Sequence, residues 1–597
     1  MSRRIVEAIG RELLTRLRAS PLGGVLSKVI GQTVPVYYDP AYRLPLPAFE
    51  GRLGGEPRRA DFVAWYCQDE PLLGRCELRT PEPVRYEDLL RVHPSEYLDS
   101  LHQGDVLARI FASDPTELPV DEVLNSVRLG CGGTLLAARW VLAHGGAAMN
   151  LHGGFHHAAK SHGSGLCVFN DLAVTLAVLR DEGFSGQVVI LDLDAHPPDG
   201  TADCVNGDPK CFVGSLSGSD WGSLAGVDET VLPQGCGDAQ YLTALSALLA
   251  RLPRPQLALV IAGGDVLAGD RLGCLGLSLA GARERDQRIA AALADCPTVW
   301  LPGGGYSEQA WKVLAGTALA VCAKSSQPVS DAYDPLRSRF ATIAQDLSLT
   351  TLRGGDELTD DDLADLLGAP TPRRRLLDYY TTEGLEYGLS RYGILPFLRR
   401  IGYGHFRFQI LRTQAGGDTM HLYGRAPDGS EHLLIDCAVE KQKVAGEPVL
   451  YIHWLSLRNP LARFSDRRPQ LPGQTAPGLG VAREMVEVLG RVASRLNLHG
   501  VAYRPAYFHT AYPARHHFRF VTPERQGRFL ALIRDLSHLP LLEASTALAE
   551  GRVLLCGRTY KWEADEMVYW LLPRTEDDQQ VRHVLSECQF TLLPKGS

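Results

Sequence analysis

The sequence predicts a parallel α/β domain followed by a separate α+β domain. Between residues 34 and 323, short apolar runs alternate with longer segments of helical periodicity, which is typical of a parallel sheet covered by helices on both faces. Between residues 376 and 597, helical segments come first and strand-like runs follow in succession, which predicts an antiparallel meander with helices on one face. Residues 324–375 are charged and interrupted by proline and glycine, so we interpret them as a linker that holds one short helix starting near Thr359.

The individual elements follow from the same patterns. The predicted strands of the first domain are "VPVYY", "GAAMNL", "QVVILDLD", "CFVGSLS", "LALVIAG" and "TVWLPGG". Its predicted helices include "GGTLLAARWVLAHG", "NDLAVTLAVLRDEG", "AQYLTALSALLARL" and "LAGARERDQRIAAALAD". Residues 1–33 are expected to form an amphipathic N-terminal helix rather than a signal peptide. They contain no apolar core followed by a small-residue cleavage site.

Composition excludes several classes of protein. The chain has 597 residues, of which 45% are hydrophobic and 22% charged, as in a soluble globular protein. The net charge of −8 argues against a partner made of nucleic acid or anionic membrane. No apolar stretch approaches the ~20 residues of a membrane span. The 13 cysteines are scattered and form no CxxC pair, which favours reduced thiols and a cytoplasmic location. The oligomeric state is left open.

Ionisable side chains follow four predicted strands at the same end. Ligands of open parallel sheets bind outside the carboxyl ends of the strands, so these side chains are expected to share one site. The strand "AAMNL" is followed by His152, His156 and His157, and "VVIL" is followed by Asp192, Asp194, His196 and Asp199. Asp265 follows "LALVIAGG", and Tyr306 follows "TVWLPGGG".

Three of these residues have the character of a metal site. Asp194 and His196 are two positions apart, so both point to the same face of an extended backbone, and Asp265 can approach from a neighbouring strand. Two carboxylates and one imidazole with an open fourth position suit catalytic zinc. Iron(II), manganese or cobalt would fit the same oxygen-rich donors. The alternative interpretation is a helix-capping aspartate beside a salt-bridged histidine.

The remaining residues fit the chemistry of hydrolysis. A bound metal lowers the pKa of water to about 7, and His157 or His156 could accept its proton. Asp192 and Asp199 are suited to orient the two imidazoles. Tyr306 follows three glycines and can donate a hydrogen bond to an oxyanion. The pattern therefore indicates metal-assisted hydrolysis of an amide or related acyl bond.

Five motifs resemble the zinc-dependent histone deacetylase family, in the order that this family has them. They are "LHGGFHHA", "GSGLCVFND", "DLDAHPPDG", "GGDVLAGDRLG" and "PGGGY". The resemblance covers roughly residues 34–323 and implies the arginase/deacetylase α/β fold. The segment "GDRLGCLGLSLAG" is most similar to the class IV branch of the family.

The resemblance also implies a role for each residue of the site. Asp194, His196 and Asp265 would be the zinc ligands. His157 would be the general base and acid, partnered by Asp199. His156 would be the electrostatic companion of His157, and Asp192 would be its carboxylate partner. Tyr306 would polarise the acyl carbonyl as a hydrogen-bond donor.

Two further sites are implied by the resemblance. A structural potassium ion would lie near Asp192, Asp194 and Ser215. Gly165 and Leu166 would line the channel for an acyl-lysine substrate. Leu166 stands where the family usually has an aromatic residue, which favours a wider channel and makes a longer acyl group or a non-protein amide more plausible.

The second domain carries a weaker resemblance. "WLSLRNP" followed by "GQTAPGLGVAREMVEVLGRVASRL" is similar to the late strand, glycine-rich turn and helix of GCN5-related acyltransferases, which would imply an acyl-CoA ligand. The spacing of Gln474, Gly478 and Gly480 is one residue longer than that family's pattern, and a turn that simply starts a helix is the alternative. The domain's histidines, including His405, are dispersed and do not indicate a second metal site.

Three hypotheses for function follow. The first is a metal-dependent deacylase that acts on an N-acyl lysine or a related acylated amine. The second keeps the same machinery but uses an acetylpolyamine or another small-molecule amide. The third is a non-catalytic binding or scaffold protein. The presence of a suitable residue at every predicted catalytic position argues against this hypothesis.

Overall fold

The structure is a computed structural model that describes residues 33–46, 56–115, 118–354, 375–412, 417–464, 470–572 and 578–594. The chain divides into two compact units, Met1–Pro335 (unit 1) and Leu336–Ser597 (unit 2). The predicted N-terminal helix, except for residue 33, and the predicted short helix near Thr359 lie outside the described residues. The predicted domain limits stay predictions.

Unit 1 is built on one sheet whose described strands are all parallel. The strands are β1 (Val34–Tyr37), β2 (Cys76–Arg79), β3 (Ala147–Asn150), β4 (Val188–Asp192), β5 (Cys211–Ser217), β6 (Val227–Val231), β7 (Leu257–Ile261) and β8 (Thr298–Leu301). The strand order across the sheet is β2-β1-β3-β8-β7-β4-β5-β6. The sheet confirms the predicted parallel α/β fold, including all six strands expected in this region.

The two strands that the sequence did not predict, β2 and β6, are the edges of this sheet. Their sequences, "CELR" and "VDETV", alternate with charged residues, and every one of their side chains keeps some exposure to solvent. The central strands β4 and β7 are buried at every position. Because an edge strand is buried on fewer sides, it lacks the continuous apolar run that identifies a central parallel strand.

Helices flank the sheet of unit 1 and bury their apolar faces against it. Side chains of the helices Val120–His144 and Asp171–Asp181 and of strands β4, β7 and β8 form one apolar core. The α-helices are α1 (Arg59–Asp69), α2 (Tyr86–Leu89), α3 (Ser95–Ser100), α4 (Gly104–Ile110), α5 (Val120–His144), α6 (Asp171–Asp181), α7 (Asp199–Val205), α8 (Asp238–Leu249), α9 (Leu279–Ala292) and α10 (Ala310–Ala318), and a π-helical turn, Leu319–Ala323, follows α10.

Unit 2 has an antiparallel sheet with one parallel pair among its described strands. Its seven strands lie in the order β14-β17-β13-β12-β11-β10-β9, and a separate three-stranded sheet has the order β16-β15-β18. The strands are β9 (Gly404–Arg412), β10 (Asp418–Arg425), β11 (Glu431–Val444), β12 (Glu447–Leu457), β13 (Gly500–Tyr503), β14 (Arg519–Phe520), β15 (Val553–Leu555), β16 (Arg558–Thr559), β17 (Met567–Trp570) and β18 (Phe590–Leu592). The antiparallel meander β9–β12 and the α+β class agree with the sequence prediction.

The helices of unit 2 begin within the segment that the sequence indicated as a linker. Leu336, Phe340 and Leu352 of this segment are buried, so two helices, Pro335–Asp346 and Leu349–Arg353, form packed structure within it. The helices are α11 (Pro335–Asp346), α12 (Leu349–Arg353), α13 (Thr382–Arg391), α14 (Ile394–Arg400), α15 (Ala482–Arg495), α16 (Phe508–Ala511), α17 (Pro523–Leu536), α18 (Leu541–Ala549) and α19 (Asp578–Glu587).

Two global features bear on the compositional expectations. Within the described ranges, no helix is both long and apolar enough to cross a membrane. All 13 cysteines lie in described segments and are free thiols. A cytoplasmic location stays a prediction.

Candidate active site

The predicted site residues lie at one edge of the sheet of unit 1. Strands β3, β8, β7 and β4 are consecutive neighbours, and all run in the same direction. Their carboxyl ends therefore meet at a single edge, where ligands of such sheets bind.

Asp194, His196 and Asp265 converge into one cluster. Each offers one ligand atom, and these atoms all lie within 4.8 Å of one another. The Nδ1 atom of His196 is 3.0 Å from Oδ1 of Asp194 and 3.1 Å from Oδ2 of Asp265. On the far side of the ring, Nε2 lies 3.1 Å from the carbonyl oxygen of Leu272. This contact orients the imidazole so that Nδ1 faces the two carboxylates.

The backbone also holds these carboxylates in place. The N–H of Gly304 donates to Oδ2 of Asp194 at 2.6 Å, and the N–H of Ala195 donates to Oδ1 of Asp265 at 3.1 Å. A Cβ atom at Gly304 would lie 2.5 Å from Oδ2 of Asp265. The glycine is therefore required for the turn after β8 to approach the cluster so closely.

Two histidine–aspartate pairs stand beside this cluster. The Nδ1 atom of His156 lies 2.8 Å from Oδ2 of Asp192, and Nδ1 of His157 lies 2.6 Å from Oδ1 of Asp199. The two imidazole rings are in contact, with centroids 4.0 Å apart. Both of the partnerships expected from the sequence are thus present in the structure.

The two histidines have opposite pKa shifts. Burial disfavours protonation of His156, but the carboxylates of Asp192 and Asp194 outweigh it and raise the pKa of His156 to about 9. Burial and the neighbouring His156 lower the pKa of His157 below its ordinary value. The raised pKa favours the protonated form of His156, and the lowered pKa favours the neutral form of His157. Neighbouring groups with separated pKa values are suited to different roles in acid–base chemistry.

Burial also separates the pKa values of the cluster. Burial and the Asp194 carboxylate raise the pKa of Asp265 to about 8. Burial opposes protonation of His196, but its hydrogen bonds to Asp194 and Asp265 raise its pKa to about 11. When both are ionised, the buried carboxylates of Asp194 and Asp265 repel each other strongly in a medium of low dielectric constant. A bound cation would neutralise this repulsion, so the pair favours cation binding.

Tyr306 lies in the loop after β8, within the electrostatic reach of the cluster. Its backbone N–H donates to Oδ2 of Asp270 at 2.6 Å. Burial and the charges of Asp194 and Asp265 raise the pKa of the Tyr306 phenol well above its ordinary value. The phenol therefore stays protonated and can act as a hydrogen-bond donor.

Gly165 and Leu166 form the two central positions of a tight turn. The N–H of Cys167 donates to the carbonyl of Ser164 at 2.8 Å, and both central residues have positive φ, +50° and +68°. Leucine rarely adopts this conformation. A Cβ atom at Gly165 would lie 2.3 Å from Cδ2 of the His157 ring, so the turn lies directly against the predicted base.

Sequence reasoning missed two residues of the site. Trp221, in the loop between β5 and β6, is 52% exposed and stacks on the His157 ring at 5.3 Å between centroids. Arg59 of α1 donates to the carbonyl oxygens of Gly303 and Gly304 at 2.6 and 2.9 Å. An aromatic residue in a loop after a strand was a signal for Trp221. Arg59 is separated from these glycines by more than 240 residues and belongs to no motif.

The potassium site expected from the resemblance has one notable feature. The buried Oγ atom of Ser215 has no hydrogen-bond partner within the part of the chain that the structure describes. Ser215 pairs with Asp192 across β5 and β4. A buried hydroxyl without a partner is unfavourable, and a cation would satisfy it.

Comparisons with known proteins match this half of the chain. The sequence model of the histone deacetylase domain matches residues 55–322. An uncharacterized protein of Picosynechococcus sp. (strain ATCC 27264 / PCC 7002 / PR-6) is 31% identical over 287 residues, which are 46% of this chain and 92% of that protein. Histone deacetylase 2 of Arabidopsis thaliana is 33% identical over 246 residues, which are 38% of this chain and 63% of that protein. Histone deacetylase RPD3 of Saccharomyces cerevisiae is 26% identical over 310 residues, which are 47% of this chain and 70% of that protein.

The extent of these matches differs between the relatives. The chain spans nearly the whole Picosynechococcus protein but less than two thirds of the Arabidopsis protein. The family match lies within unit 1 and includes the candidate metal cluster, both histidine–aspartate pairs and Tyr306. The chain therefore belongs to the histone deacetylase family, in the arginase/deacetylase superfamily.

Proposed function

We propose that unit 1 is a metal-dependent deacylase, with zinc as its metal, that hydrolyses the amide bond of an N-acyl lysine or a related acylated amine. Family membership supports a hydrolase of amide bonds. The observation that carries the metal dependence is the convergence of Asp194, His196 and Asp265 to within 4.8 Å. The assignment to the class IV branch stays a prediction.

The donor set fits a catalytic divalent cation. Two carboxylates and one imidazole leave further coordination positions for water and substrate, and their negative charge would be neutralised by the ion. Such an ion would supply Lewis acidity that activates water and polarises an acyl carbonyl. Iron(II), manganese and cobalt fit the same donors.

His157 is the residue that we assign as general base and acid. Its Nδ1 is engaged by Asp199 at 2.6 Å, so Nε2 is the nitrogen that would take a proton from water. The pKa of His157 lies below its ordinary value, which keeps the ring neutral and ready to accept that proton. The same nitrogen would then return the proton to the leaving amine.

Tyr306 and His156 would stabilise the negative charge that develops on the acyl oxygen. The raised pKa of the Tyr306 phenol keeps it available as a hydrogen-bond donor to this oxygen, and the raised pKa of His156 favours its protonated form. Preorganised donors in a buried site are effective because they need no rearrangement during the reaction.

The surroundings of His157 favour a substrate with an apolar acyl arm. The face of Trp221 covers one side of its ring, and the Gly165–Leu166 turn lies close to it. We assign Gly165 and Leu166 to the channel wall, as expected from the resemblance, and add Trp221 to them. An acetylpolyamine or another small-molecule amide remains the second candidate for the substrate.

A structural potassium ion beside the site is part of the same proposal. Its support is the buried Ser215 hydroxyl, which has no hydrogen-bond partner among the described residues, next to the carboxylate-bearing end of β4. The expected result is that potassium raises the melting temperature of the wild-type chain more than it raises that of Ser215→Ala.

The experiment that tests the function measures acyl release by the purified full chain. The substrates are an acetyl-lysine peptide, a long-chain acyl-lysine peptide and an acetylated polyamine, each with zinc and with a chelator. We expect release that the chelator abolishes and that re-added zinc restores. The ratio of kcat/KM between peptide and polyamine decides the substrate class.

The outcomes separate the hypotheses. Release that persists in chelator would contradict the metal dependence. Absence of release from all three substrates by folded, zinc-loaded protein would contradict the deacylase and favour the non-catalytic binding protein.

A second function is proposed for unit 2, the binding of an acyl-CoA. The supporting observation is the order of strands: β12 and β13 are parallel neighbours in an otherwise antiparallel described sheet, and α15 connects them. The glycine-rich residues 473–480 precede α15, and Gly480 has φ +76°. Backbone N–H groups at such a helix start can bind a pyrophosphate.

Calorimetric titration of the full chain with acetyl-CoA tests this second proposal. Gly480→Val should weaken binding at least about 10-fold, because a β-branched residue is strained at positive φ. Gly429→Val is the matched control, since Gly429 also has positive φ, +86°, but lies in the turn between β10 and β11, outside the glycine-rich turn. Absence of heat with the wild type would contradict acyl-CoA binding.

A further inference from the structure

A buried arginine–aspartate pair lies behind the candidate metal cluster, outside every motif described above. Arg285 and Asp286 are neighbours on α9, and neither side chain has any exposure to solvent. Nε of Arg285 lies 2.8 Å from Oδ1 of Asp286. Burial of an ion pair carries a desolvation penalty that an apolar pair would avoid, so the contacts of the pair indicate what it contributes.

The guanidinium of Arg285 bridges the ends of two strands. Its Nη1 donates to the carbonyl of Gly263 at 2.8 Å and, more weakly, to the carbonyl of Leu193 at 3.4 Å. Leu193 directly precedes Asp194 at the end of β4, and Gly263 lies two residues before Asp265 after β7. One side chain therefore contacts the backbone beside both carboxylates of the cluster.

Asp286 extends this connection to helix α10. Its Oδ2 accepts a hydrogen bond from Oγ1 of Thr317 at 2.6 Å, and Thr317 is also fully buried. Thr317 belongs to α10, which begins four residues after Tyr306. The pair thus joins α9 and α10 to the two backbone segments that carry Asp194 and Asp265.

We propose that Arg285 is a positioning residue that sets the separation of Asp194 and Asp265 for metal binding, with Asp286 and Thr317 holding its guanidinium. The inference rests on the proposed metal site. The planar guanidinium can donate to Asp286 and to a backbone carbonyl in fixed directions at the same time. A lysine ammonium on a flexible stem does not impose this geometry.

A purely structural role would have a different signature. If the pair only stabilised the fold, its loss would lower the melting temperature and leave the zinc affinity of the remaining folded protein unchanged. The zinc affinity, measured well below the melting temperature of each variant, therefore separates positioning from general stabilisation.

The experiment uses the full chain, freed of metal by dialysis against a chelator. Zinc is titrated in competition with a chromophoric chelator, and the melting temperature is recorded with and without zinc. The variants are Arg285→Lys and Thr317→Val. The control is Arg288→Lys on the same helix, where the arginine forms a partly exposed ion pair with Glu284.

We expect Arg285→Lys to raise the zinc Kd about 10-fold or more, as for other residues that orient metal ligands. Thr317→Val should raise it about 3-fold, in keeping with the loss of one buried hydrogen bond. Arg288→Lys should leave both readouts unchanged. A folded Arg285→Lys protein with wild-type zinc affinity would overturn the inference. Should that variant not fold, unchanged affinity of Thr317→Val would overturn it instead.

The same titration distinguishes this inference from the proposed activity. A wild-type chain that binds zinc but releases no acyl group would contradict the deacylase and leave the role of Arg285 to be decided by the variants. A wild-type chain that binds no zinc would overturn the metal site and this inference with it.

Discussion

In unit 1, three histidines and four aspartates meet at one edge of the sheet, whereas the histidine–carboxylate pairs of unit 2 lie apart from one another. The described pairs of unit 2 include His453 with Glu440 at 2.9 Å, His499 with Glu447 at 2.7 Å and His421 with Asp436 at 3.3 Å. The side chains of all three pairs keep partial exposure to solvent. The residue types are the same, but in unit 1 they converge at one edge of a parallel sheet.

Strand direction explains the difference. Parallel strands all end at the same edge, so residues that follow several of them converge. Successive strands of an antiparallel meander end at opposite edges, so residues with the same relation to their strands are separated. Topology and burial, more than the presence of histidine and aspartate, therefore convert these groups into a candidate catalytic centre.

The largest expected effect separates the two kinds of histidine. His157→Ala should lower kcat for acyl release by about 10²–10⁴-fold, because the proposed proton acceptor is lost. His453→Ala, which removes a histidine from an exposed pair of unit 2, should leave kcat unchanged. Steady-state kinetics on zinc-loaded protein measures both. Equal losses in the two variants would contradict the comparison.

Tyr306→Phe tests the donor at the same edge. Removal of one oxyanion donor costs about 3 kcal/mol, so kcat should fall roughly 100-fold while KM changes little. Tyr423→Phe in unit 2 is a control with an exposed arginine over its ring and should have no effect on kcat. A Tyr306→Phe variant with wild-type kcat would exclude the phenol from the reaction.

Trp221→Ala sharpens the description of the channel. Loss of the aromatic wall should raise KM for an acyl-lysine peptide about 5-fold, the equivalent of ~1 kcal/mol of stacking, with a smaller change in kcat. Leu166→Phe should shift the preference towards short acyl groups, because a larger side chain narrows the channel. Identical KM values for acetyl and long-chain acyl peptides in both variants would argue against these residues as the channel wall.

The smallest expected effect concerns the buried histidine of unit 2. Burial lowers the pKa of His509 to about 4, against about 6.5 in the unfolded chain. Between these values only the unfolded chain binds the proton. The contribution of neutral His509 to the free energy of unfolding is therefore fully present above pH 6.5 and is lost as the pH falls towards 4.

The measurement compares wild type with His509→Gln across that pH range. On acidification from pH 7 to 5, the melting temperature of His509→Gln should fall by about 2–4 °C less than that of the wild type. The melting temperature of His453→Gln should fall as much as that of the wild type. If the melting temperature of His509→Gln has the same pH dependence as that of the wild type, the prediction that burial lowers the pKa of His509 is contradicted.

Much of unit 1 was predictable from local pattern. The apolar runs of the central strands and the polar residues after them indicated the fold, the shared edge and the residues of the candidate metal cluster. The edge strands β2 and β6 were not predictable in the same way, since partial exposure removes the apolar run. In unit 2 the antiparallel meander was evident, but the short strands β14–β18 carry too few residues for periodicity.

Local sequence pattern specifies which side chains follow each buried strand, because that depends on the alternation of apolar and polar residues along one segment. The order in which β3, β8, β7 and β4 are neighbours, and the stacking of Trp221 on His157, are seen only in the folded chain. The same is true of the contacts of Arg59 with the glycine turn and of Arg285 with two strand ends. These contacts link residues far apart in the chain, and no local pattern encodes the distance between them once the chain has folded.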